Sequence, residues 1–386
     1  MVVRFRLDTP NGGRKLVAEK VCPASGSGLL TNAEQRRRAA EIIAAAGVNS
    51  TAQIRETTTS VTFATQAERF LEHSRTRRRK PVSPATYDSW RSCLDKWLLP
   101  NLGQMLLADI NNGTLKELVN RLVDAGLSAK SVNTYSGLVK LVVASAIDKN
   151  GEQLYPRKWN HDFVEMPVVK NQRRPTFTSE QVTAMARKTV GKARMLMVLA
   201  ASTGLRLGEI LGLSIADVSD DRTTLTICQQ AYRCRVSDRL KTTNAHRVVD
   251  VHPDVAAMLN QFIGGRKSGL VFATRRGKPL SQSNLLHRCL YPLQAELKIA
   301  KCGFHAFRRF RATWLRKQRT QESLIKAWLG HSTGNTITDL YDRTATDVEH
   351  CKNVVGQVGI GFEMPSIVLS VLKNSDTETR EVAVAA

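Results

Sequence analysis

The sequence predicts a mainly α-helical protein with a small antiparallel β-sheet, an α+β fold in which a helical domain precedes a larger mixed domain. In residues 61–155, apolar side chains recur three and four positions apart, as on one face of an α-helix. Residues 193–201 are apolar almost throughout and predict a buried helix. Residues 223–228 and 247–251 are rich in β-branched side chains and predict strands, with a third candidate strand at 232–240 between them.

The first 50 residues carry weaker signals. Two β-rich runs flank a turn signal at residues 11–13, and a helix is predicted from Asn32 to about Ala46. Residues 1–50 therefore form either a small additional binding domain or a poorly ordered extension with one amphipathic helix.

The helical domain predicted for residues 61–155 has clear helix boundaries. Ser83 followed by Pro84 is typical of a helix start, Gly126 of a helix end, and Ser128 of the start of the next helix. Apolar and aromatic side chains share one face of the first helix: Tyr87, Trp90, Leu94, Trp97 and Leu98. Their spacing indicates packing in a core rather than a surface for stacking ligands.

Polar and proline-rich sequence at residues 156–174 predicts a linker, so the second domain is expected to cover residues 175–355. Residues 356–386 are then a C-terminal arm and tail. The arm contains many apolar residues, yet three glycines and Pro365 interrupt it. Such a segment either packs on another copy of the protein, which we expect, or folds back on its own domain.

The charge balance points to a polyanionic partner. The 386 residues contain 57 Lys and Arg against 34 Asp and Glu, a formal net charge of +23. Nucleic acid is the first candidate for such a protein. The six residues from Arg75 to Lys80 are five cations and one threonine, and Arg75, Arg77, Arg78, Arg79 and Lys80 are expected to contact DNA phosphates. A solvated loop is the alternative.

Other chemistry has little support in the sequence. The seven cysteines are scattered without a zinc-binding spacing, which fits a reducing compartment. The start of the chain lacks the apolar core of a signal peptide, and no run approaches the ~20 apolar residues of a membrane span. No GxxxxGK loop for ATP and no cluster of carboxylates at metal-ligand spacing stands out. We therefore expect a cytoplasmic, nucleoid-associated protein without a cofactor, a metal or a membrane partner.

Two short motifs in the second domain are suited to holding a phosphodiester. In the run 203–209 (TGLRLGE), two glycines flank Arg206, and Glu209 lies three residues later, near enough to orient the guanidinium. In the run 305–308 (HAFR), His305 and Arg308 fall on one face of a helix. A guanidinium grips two phosphate oxygens, and an imidazole holds or relays a proton near neutral pH. Arg309 and Arg311 fall on other faces, which predicts DNA backbone contact or plain solvation.

Two further pieces supply a proton donor and a nucleophile. Lys241 lies between the second and third candidate strands, where a hairpin tip would project its ammonium to protonate a leaving oxygen. Tyr341 follows His331 across a short polar segment. A phenol with a pKa near ~10 is a poor nucleophile unless cations stabilise its phenolate, which ties Tyr341 to the arginine motifs.

Taken together and in this order, these motifs resemble the tyrosine recombinase family, which includes the phage integrases. The resemblance covers about residues 61–355, and the bundle before the linker is similar to the core-binding domain of the family. It implies a catalytic domain in which each motif has a role: Arg206 and Arg308 clamp the phosphate, His305 and His331 support it, Lys241 is the general acid, Tyr341 is the nucleophile, and Glu209 organises the site. One residue departs from the family pattern. Asp342 follows Tyr341 where the family more often has a small polar residue, and it places a negative charge near the phosphate.

The resemblance implies a site-specific recombinase that acts as a homotetramer on double-stranded DNA attachment sites, with DNA-bending accessory proteins as further partners. Docking of the C-terminal arm on an adjacent protomer would suit such an assembly. Two rival functions stay open: a DNA-relaxing enzyme similar to type IB topoisomerases, and a catalytically silent DNA-binding regulator. The complete set of catalytic residue types argues against the silent regulator.

Overall fold

The computed structural model describes residues 2–8, 14–23, 30–45, 61–170, 174–238, 246–331 and 344–365. The chain forms two compact units, Met1–Asn171 and Gln172–Ala386. The described elements of the first unit are β1 (Val2–Asp8), β2 (Arg14–Lys20), α1 (Asn32–Ala45), α2 (Phe63–Thr76), α3 (Pro84–Cys93), α4 (Leu99–Leu102), α5 (Asn112–Asp124), α6 (Ala129–Ala144) and α7 (His161–Val164). A π-helical turn, Leu94–Leu98, joins α3 to α4, and a 3-10 turn, Leu107–Asp109, precedes α5.

The second unit is also mainly helical. Its described elements are α8 (Ser179–Lys188), α9 (Gly191–Thr203), α10 (Leu207–Gly212), β3 (Thr224–Ile227), β4 (Gln230–Tyr232), β5 (Arg235–Ser237), β6 (Arg247–Asp250), α11 (Pro253–Ile263), α12 (Gln282–Asn284), α13 (Tyr291–Glu296), α14 (His305–Lys317), α15 (Glu322–Leu329) and α16 (Val348–Val358). Short irregular helices complete it at Ile215–Asp217, Leu285–Leu290 and Thr344–Thr346. The predicted fold class, mainly α with small antiparallel sheets, is confirmed.

The N-terminal prediction of two strands and a helix is confirmed. Strands β1 and β2 pair antiparallel along their whole length, from Val2 opposite Lys20 to Asp8 opposite Arg14. Helix α1 begins beside Thr31, whose backbone N–H donates to the Glu34 carboxylate at 2.9 Å. The predicted turn at residues 11–13 lies outside the described residues.

The helical bundle of the first unit follows from local capping and a continuous apolar core. The hydroxyl of Ser83 accepts from the Thr86 N–H at 3.1 Å and caps α3, and Ser128 caps α6 in the same way at 3.2 Å. The predicted aromatic face packs inward, as shown by Trp90, whose ring lies 5.1 Å from that of Phe70. The interpretation of these aromatic residues as core is confirmed.

The linker begins later than residue 156. Helix α7 lies inside the predicted linker, and its Val164 is buried in the bundle core with Trp159 and Met166 packed beside it. Arg157 donates to the carbonyls of Ala108 and Ile110, at 2.7 and 3.1 Å. These contacts make residues 157–166 part of the first unit, so the first part of the predicted linker is wrong.

The β structure of the second unit differs from the prediction in one respect. Strand β3 pairs antiparallel with β6, with Thr224 opposite Asp250, as expected for the outer two runs. The middle run does not join them, because Arg233 and Cys234 adopt positive φ angles and form the turn of a separate β4–β5 hairpin. The single predicted sheet is therefore two sheets of two strands.

The predicted C-terminal arm is wrong for its first part. Residues 359–364, here called the C-terminal strap, follow α16 and pack on the second unit itself. Ile360 and Phe362 are buried in its core, and the Phe362 ring lies 6.2 Å from that of Phe310. The backbone of Glu363 donates to the Thr183 hydroxyl at 3.0 Å. Apolar residues 367–372, which completed the arm prediction, lie outside the described residues.

Candidate active site

The first arginine motif is placed by the end of a buried helix. Helix α9 ends at Thr203, and Gly204 adopts a left-handed conformation with φ +69°. A side chain there would also meet Leu329, since an added Cβ would lie 2.7 Å from its Cδ2. This tight turn sets Arg206 directly before α10, where its backbone N–H donates to Glu209 at 2.9 Å and its guanidinium at 2.7 Å.

Glu209 is shared by two arginines. Its side chain is only 2% exposed, and both of its carboxylate oxygens accept from Arg206 and from Arg247, the guanidinium of Arg247 at 2.8 and 3.3 Å. Burial raises the pKa of the Glu209 carboxyl, but the hydrogen bond and charge of Arg247, followed by the two hydrogen bonds from Arg206, outweigh burial and hold the pKa below its ordinary value. Glu209 is therefore a buried carboxylate that braces two guanidinium groups.

Arg247 was missed as a site residue by the sequence reasoning, which placed it only at the start of a strand. No motif spacing marks it, because its partners lie 38 and 81 residues away. The one available signal is an arginine at the end of the segment that contains Lys241.

Arg308 connects the turn at Gly204 to the end of α15. It lies on the buried face of α14 and donates to the carbonyl of Gly204 at 3.0 Å and to the carbonyl of Leu329. Burial, followed by the charge of Arg206 and with a smaller part from Arg247, lowers the pKa of Arg308 to about 10, so it stays a cation at neutral pH. No carboxylate among the described residues forms an ion pair with it.

Three guanidiniums and one carboxylate give this group, here called the arginine cluster (Arg206, Glu209, Arg247 and Arg308), a net charge of +2. A partly buried group with such an excess is stabilised by an anion that supplies oxygen acceptors. A phosphodiester meets both needs, since its nonbridging oxygens match the fork of a guanidinium.

The two histidines lie close in sequence to parts of the cluster or its contacts. His305 is exposed at the start of α14, three residues before Arg308. His331 follows Gly330, which ends α15 in a left-handed conformation. Burial lowers the pKa of His331, and the positive charges of Arg308, Arg206 and Arg247 lower it further. The His331 imidazole is therefore neutral at pH 7 and able to accept a proton.

Lys241 and Tyr341 lie outside the described residues, and the structure defines only where their segments begin and end. The first segment leaves β5 at Ser237 and returns at the start of β6, at Arg247. The second leaves at His331 and returns at Thr344, whose carbonyl accepts from the Cys351 thiol. Both segments therefore begin and end within the unit that carries the arginine cluster.

The other arginines that were predicted to contact DNA lie partly on the surface and partly in the core. Arg309 is partly exposed and donates to the Pro175 carbonyl at 2.6 Å. Arg311 is only 3% exposed and donates to the Gly359 carbonyl at 2.6 Å, so its predicted role in DNA contact or solvation is wrong. In the first unit, the run from Arg75 to Lys80 is exposed throughout. Its role in DNA contact stays a prediction.

Two absences hold for the described part of the chain. No helix there is long and apolar enough to cross a membrane. No group of three or more His, Cys, Asp or Glu side chains there is arranged to hold a metal ion.

Comparison with known proteins agrees with this arrangement. The family model described as "Phage integrase family" matches residues 176–347, which include every motif of the site. A tyrosine recombinase XerC-like protein of Caldanaerobacter subterraneus is 22% identical over 300 residues, which cover 68% of this chain and 74% of the relative. The integrase of Mycobacterium phage D29 is 27% identical over 167 residues, 40% of this chain and 44% of that integrase.

Solved structures share the fold. The Tn1549 transposon integrase, in complex with a circular intermediate DNA, aligns with a TM-score of 0.58 at 16% identity and covers 73% of this chain and 98% of its own. A lambda integrase dimer bound to a core site aligns with a TM-score of 0.55 at 19% identity, over 88% of this chain and 91% of its own. The family match and the sequence relatives support DNA strand breakage and rejoining as the activity of this chain. Residues 176–347 form a domain of the phage integrase family, and over 68% of its length the chain is similar to a tyrosine recombinase.

Proposed function

We propose that this protein is a site-specific DNA recombinase that cuts and rejoins strands through a covalent 3′-phosphotyrosine at Tyr341, and that it integrates or excises a mobile element. The arginine cluster carries the proposal. Its net charge of +2 sits beside a neutral His331, and both segments that carry Lys241 and Tyr341 begin and end in the same unit.

The proposed reaction begins with binding of the scissile phosphate. Arg206 and Arg308 hold its nonbridging oxygens and stabilise the charge that builds up on them in the transition state. The Glu209 carboxylate and the Gly204 and Leu329 carbonyls fix the two guanidiniums before the substrate arrives, since they accept hydrogen bonds from them in the absence of DNA. Preorganisation of this kind removes the need to reorient donors during the reaction.

The proposed bond changes assign one role to each remaining residue. The Tyr341 oxygen attacks phosphorus and its phenol proton is lost, for which the neutral imidazole of His331 is an acceptor. The bond from phosphorus to the 5′ oxygen breaks, and Lys241 gives that oxygen a proton. Attack by a 5′ hydroxyl on the phosphotyrosine reverses the steps and releases Tyr341. Because bond energy is kept in the phosphotyrosine, the reaction needs no nucleotide cofactor.

The substrates and assembly are proposed from the relatives. The Tn1549 integrase is described with circular intermediate DNA, and a lambda integrase tetramer, TM-score 0.53, with a Holliday junction. By likeness, this chain is proposed to act as a homotetramer on double-stranded DNA attachment sites of a mobile element, with DNA-bending accessory proteins as further partners. The exposed cations from Arg75 to Lys80 and Arg309 are proposed to contact DNA phosphates.

The test is capture of the covalent intermediate. Purified protein is incubated with a nicked attachment-site duplex, from which the released strand diffuses away, and adducts are resolved on denaturing gels. The wild type and Tyr291→Phe, a control tyrosine on α13, should form the adduct, and Tyr341→Phe should bind DNA without forming it. Peptide mapping should place the nucleotide on Tyr341. An adduct formed by Tyr341→Phe, or relaxation of supercoils without exchange of partners, would contradict the proposal.

A further inference from the structure

Arg247 makes more connections in the catalytic unit than a strand residue needs. Its side chain is 6% exposed and forms a double contact with the Glu209 carboxylate, at 2.8 Å from one terminal nitrogen and 3.3 Å from the other. Its Nε donates to the Trp328 carbonyl at 2.8 Å. One guanidinium therefore links β6 to α10, which follows Arg206, and to α15, which ends before His331.

A second contact holds α15 to the same strand. The indole N–H of Trp328 donates to the carboxylate of Asp250 at 2.7 Å, three residues beyond Arg247. This contact is structural, because it is made by the side chain of Trp328 and involves none of the arginines. The pair of contacts offers a matched comparison: one end of β6 is bound to the arginine cluster, and the other end only fastens the helix.

The contacts of Arg247 extend to the groups that place Arg206 and His331. By sharing Glu209, it fixes the carboxylate that orients Arg206, and it supplies a second positive charge beside a carboxylate that is 2% exposed. Through the Trp328 carbonyl, it holds the last turn of α15, from which His331 extends. A buried carboxylate left with one partner would move or change its hydrogen bonds, and Arg206 would move with it.

We propose that Arg247 is a positioning residue of the recombinase: it sets the orientation of Arg206 through Glu209, and both the placement and the protonation of His331 through the end of α15 and its own charge. The proposal rests on the proposed function, since it assigns Arg247 a part in the same phosphoryl transfer. In this role Arg247 acts on the phosphate only through Glu209 and the end of α15.

The charge of Arg247 predicts a change in pH dependence that a purely structural role would not produce. The charged groups acting on His331 are Arg308 and Arg316 on α14, Arg206, Arg247 on β6, and Glu322 on α15. The four arginines lower the pKa of His331, and its neutral form is the one present above that pKa. Removing the Arg247 charge should raise the pKa towards its ordinary value, so activity that needs neutral His331 is lost at a higher pH as the medium is acidified.

The experiment compares single-turnover cleavage of the nicked duplex by Arg247→Ala, Arg247→Lys and Trp328→Phe, with DNA affinity and thermal melting measured for each. Arg247→Ala should cleave about 10²- to 10³-fold more slowly, as for loss of a preorganised electrostatic contact, with little change in DNA affinity. The acid limb of its pH–rate profile should move to higher pH. Arg247→Lys keeps the positive charge but loses the two-pronged guanidinium. The acid limb of its pH–rate profile should therefore return to the wild-type position, while the cleavage rate recovers only in part.

Trp328→Phe is the matched control, because it breaks the Asp250 contact and leaves the backbone carbonyl that Arg247 uses. It should cleave at nearly the wild-type rate with an unmoved acid limb. An equal loss in Trp328→Phe and Arg247→Ala, with both acid limbs unmoved, would make Arg247 merely structural and overturn the proposal.

If Arg247→Ala does not fold, Arg247→Lys decides: a wild-type rate overturns the proposal, and a slower rate with an unmoved acid limb supports it. A wild type that forms an adduct at Tyr341 while Arg247→Ala is normal refutes this inference alone. A wild type that forms no such adduct refutes the proposed function.

Discussion

Arg308 and Arg311 lie one turn apart on α14 and differ in almost nothing but their neighbours. Both are buried, both donate to backbone carbonyls, and burial lowers the pKa of each to about 10. Arg308 is also acted on by the charges of Arg206 and Arg247, whereas burial alone accounts for Arg311. Arg308 thus belongs to a group with excess positive charge, whereas Arg311 makes a hydrogen bond to the backbone of the C-terminal strap.

The comparison teaches that residue type, spacing and burial do not by themselves assign a function. A buried guanidinium among other cations is prepared for an anion that is absent until substrate binds. A buried guanidinium that reaches one carbonyl, here that of Gly359, fastens a segment of chain instead. Substitution at the two positions should therefore damage different properties.

The largest effect should come from Arg308→Ala. Loss of the guanidinium removes a phosphate contact and a preorganised charge, so single-turnover cleavage should fall by about 10²- to 10³-fold. Stability should change far less, because the substitution also removes a cation from beside Arg206 and Arg247. Arg311→Met is the matched control and should cleave normally wherever it is folded. Comparable cleavage losses at the two positions would contradict the assignment of Arg308 to the phosphate and of Arg311 to the strap.

The variant Phe362→Ala tests whether the C-terminal strap stabilises the unit on which it packs. Phe362 is buried against Phe310, and its truncation should lower the free energy of unfolding by about 3 kcal/mol, through lost burial and the cavity left behind. Denaturant unfolding of the full chain measures this loss, and cleavage at a temperature where the variant is folded should be unchanged. An unchanged unfolding free energy would mean that the strap does not pack on its own unit in solution.

The smallest effect concerns a third kind of arginine, the exposed run in the first unit. Replacing Arg77, Arg78 and Arg79 together by glutamine should flatten the slope of log affinity against log salt by up to about 0.9 for each lost phosphate contact. Sequence preference should hardly change, because phosphate contacts carry no base information. Replacing Arg37, an exposed helical arginine paired with Glu41, serves as a comparison. An unchanged slope would return the run to a solvated loop.

The sequence was most informative where structure is local. The starts of helices at Ser83 and Ser128 follow from hydroxyl caps that reach only three residues ahead, and both are confirmed. The turn at Gly204 and the brace from Glu209 to Arg206 are equally local, and they place the first motif as its spacing predicts.

Long-range packing accounts for what the sequence did not show. Arg247 is bound to the site by partners 38 and 81 residues away, and the direction of Arg311 is decided by a strap 48 residues later. Helix periodicity gives the face of a residue but not what covers that face. The misplaced linker is a different case, since Trp159 and Val164 were apolar signals in the sequence that the prolines around them obscured.

The central claim is that the arginine cluster carries excess positive charge in order to hold the scissile phosphate, and one measurement tests it most directly. Wild type and Arg308→Ala are compared on two nicked duplexes, one with the normal phosphate at the cleavage position and one with an uncharged methylphosphonate there. If the charge of Arg308 serves the phosphate, the variant should lose about 10²- to 10³-fold on the normal duplex. On the neutral duplex, it should cleave within about tenfold of the wild type, because the methylphosphonate has one nonbridging oxygen fewer and its transition state carries one negative charge fewer, which Arg206 alone can stabilise. An equal loss on both duplexes would contradict the claim.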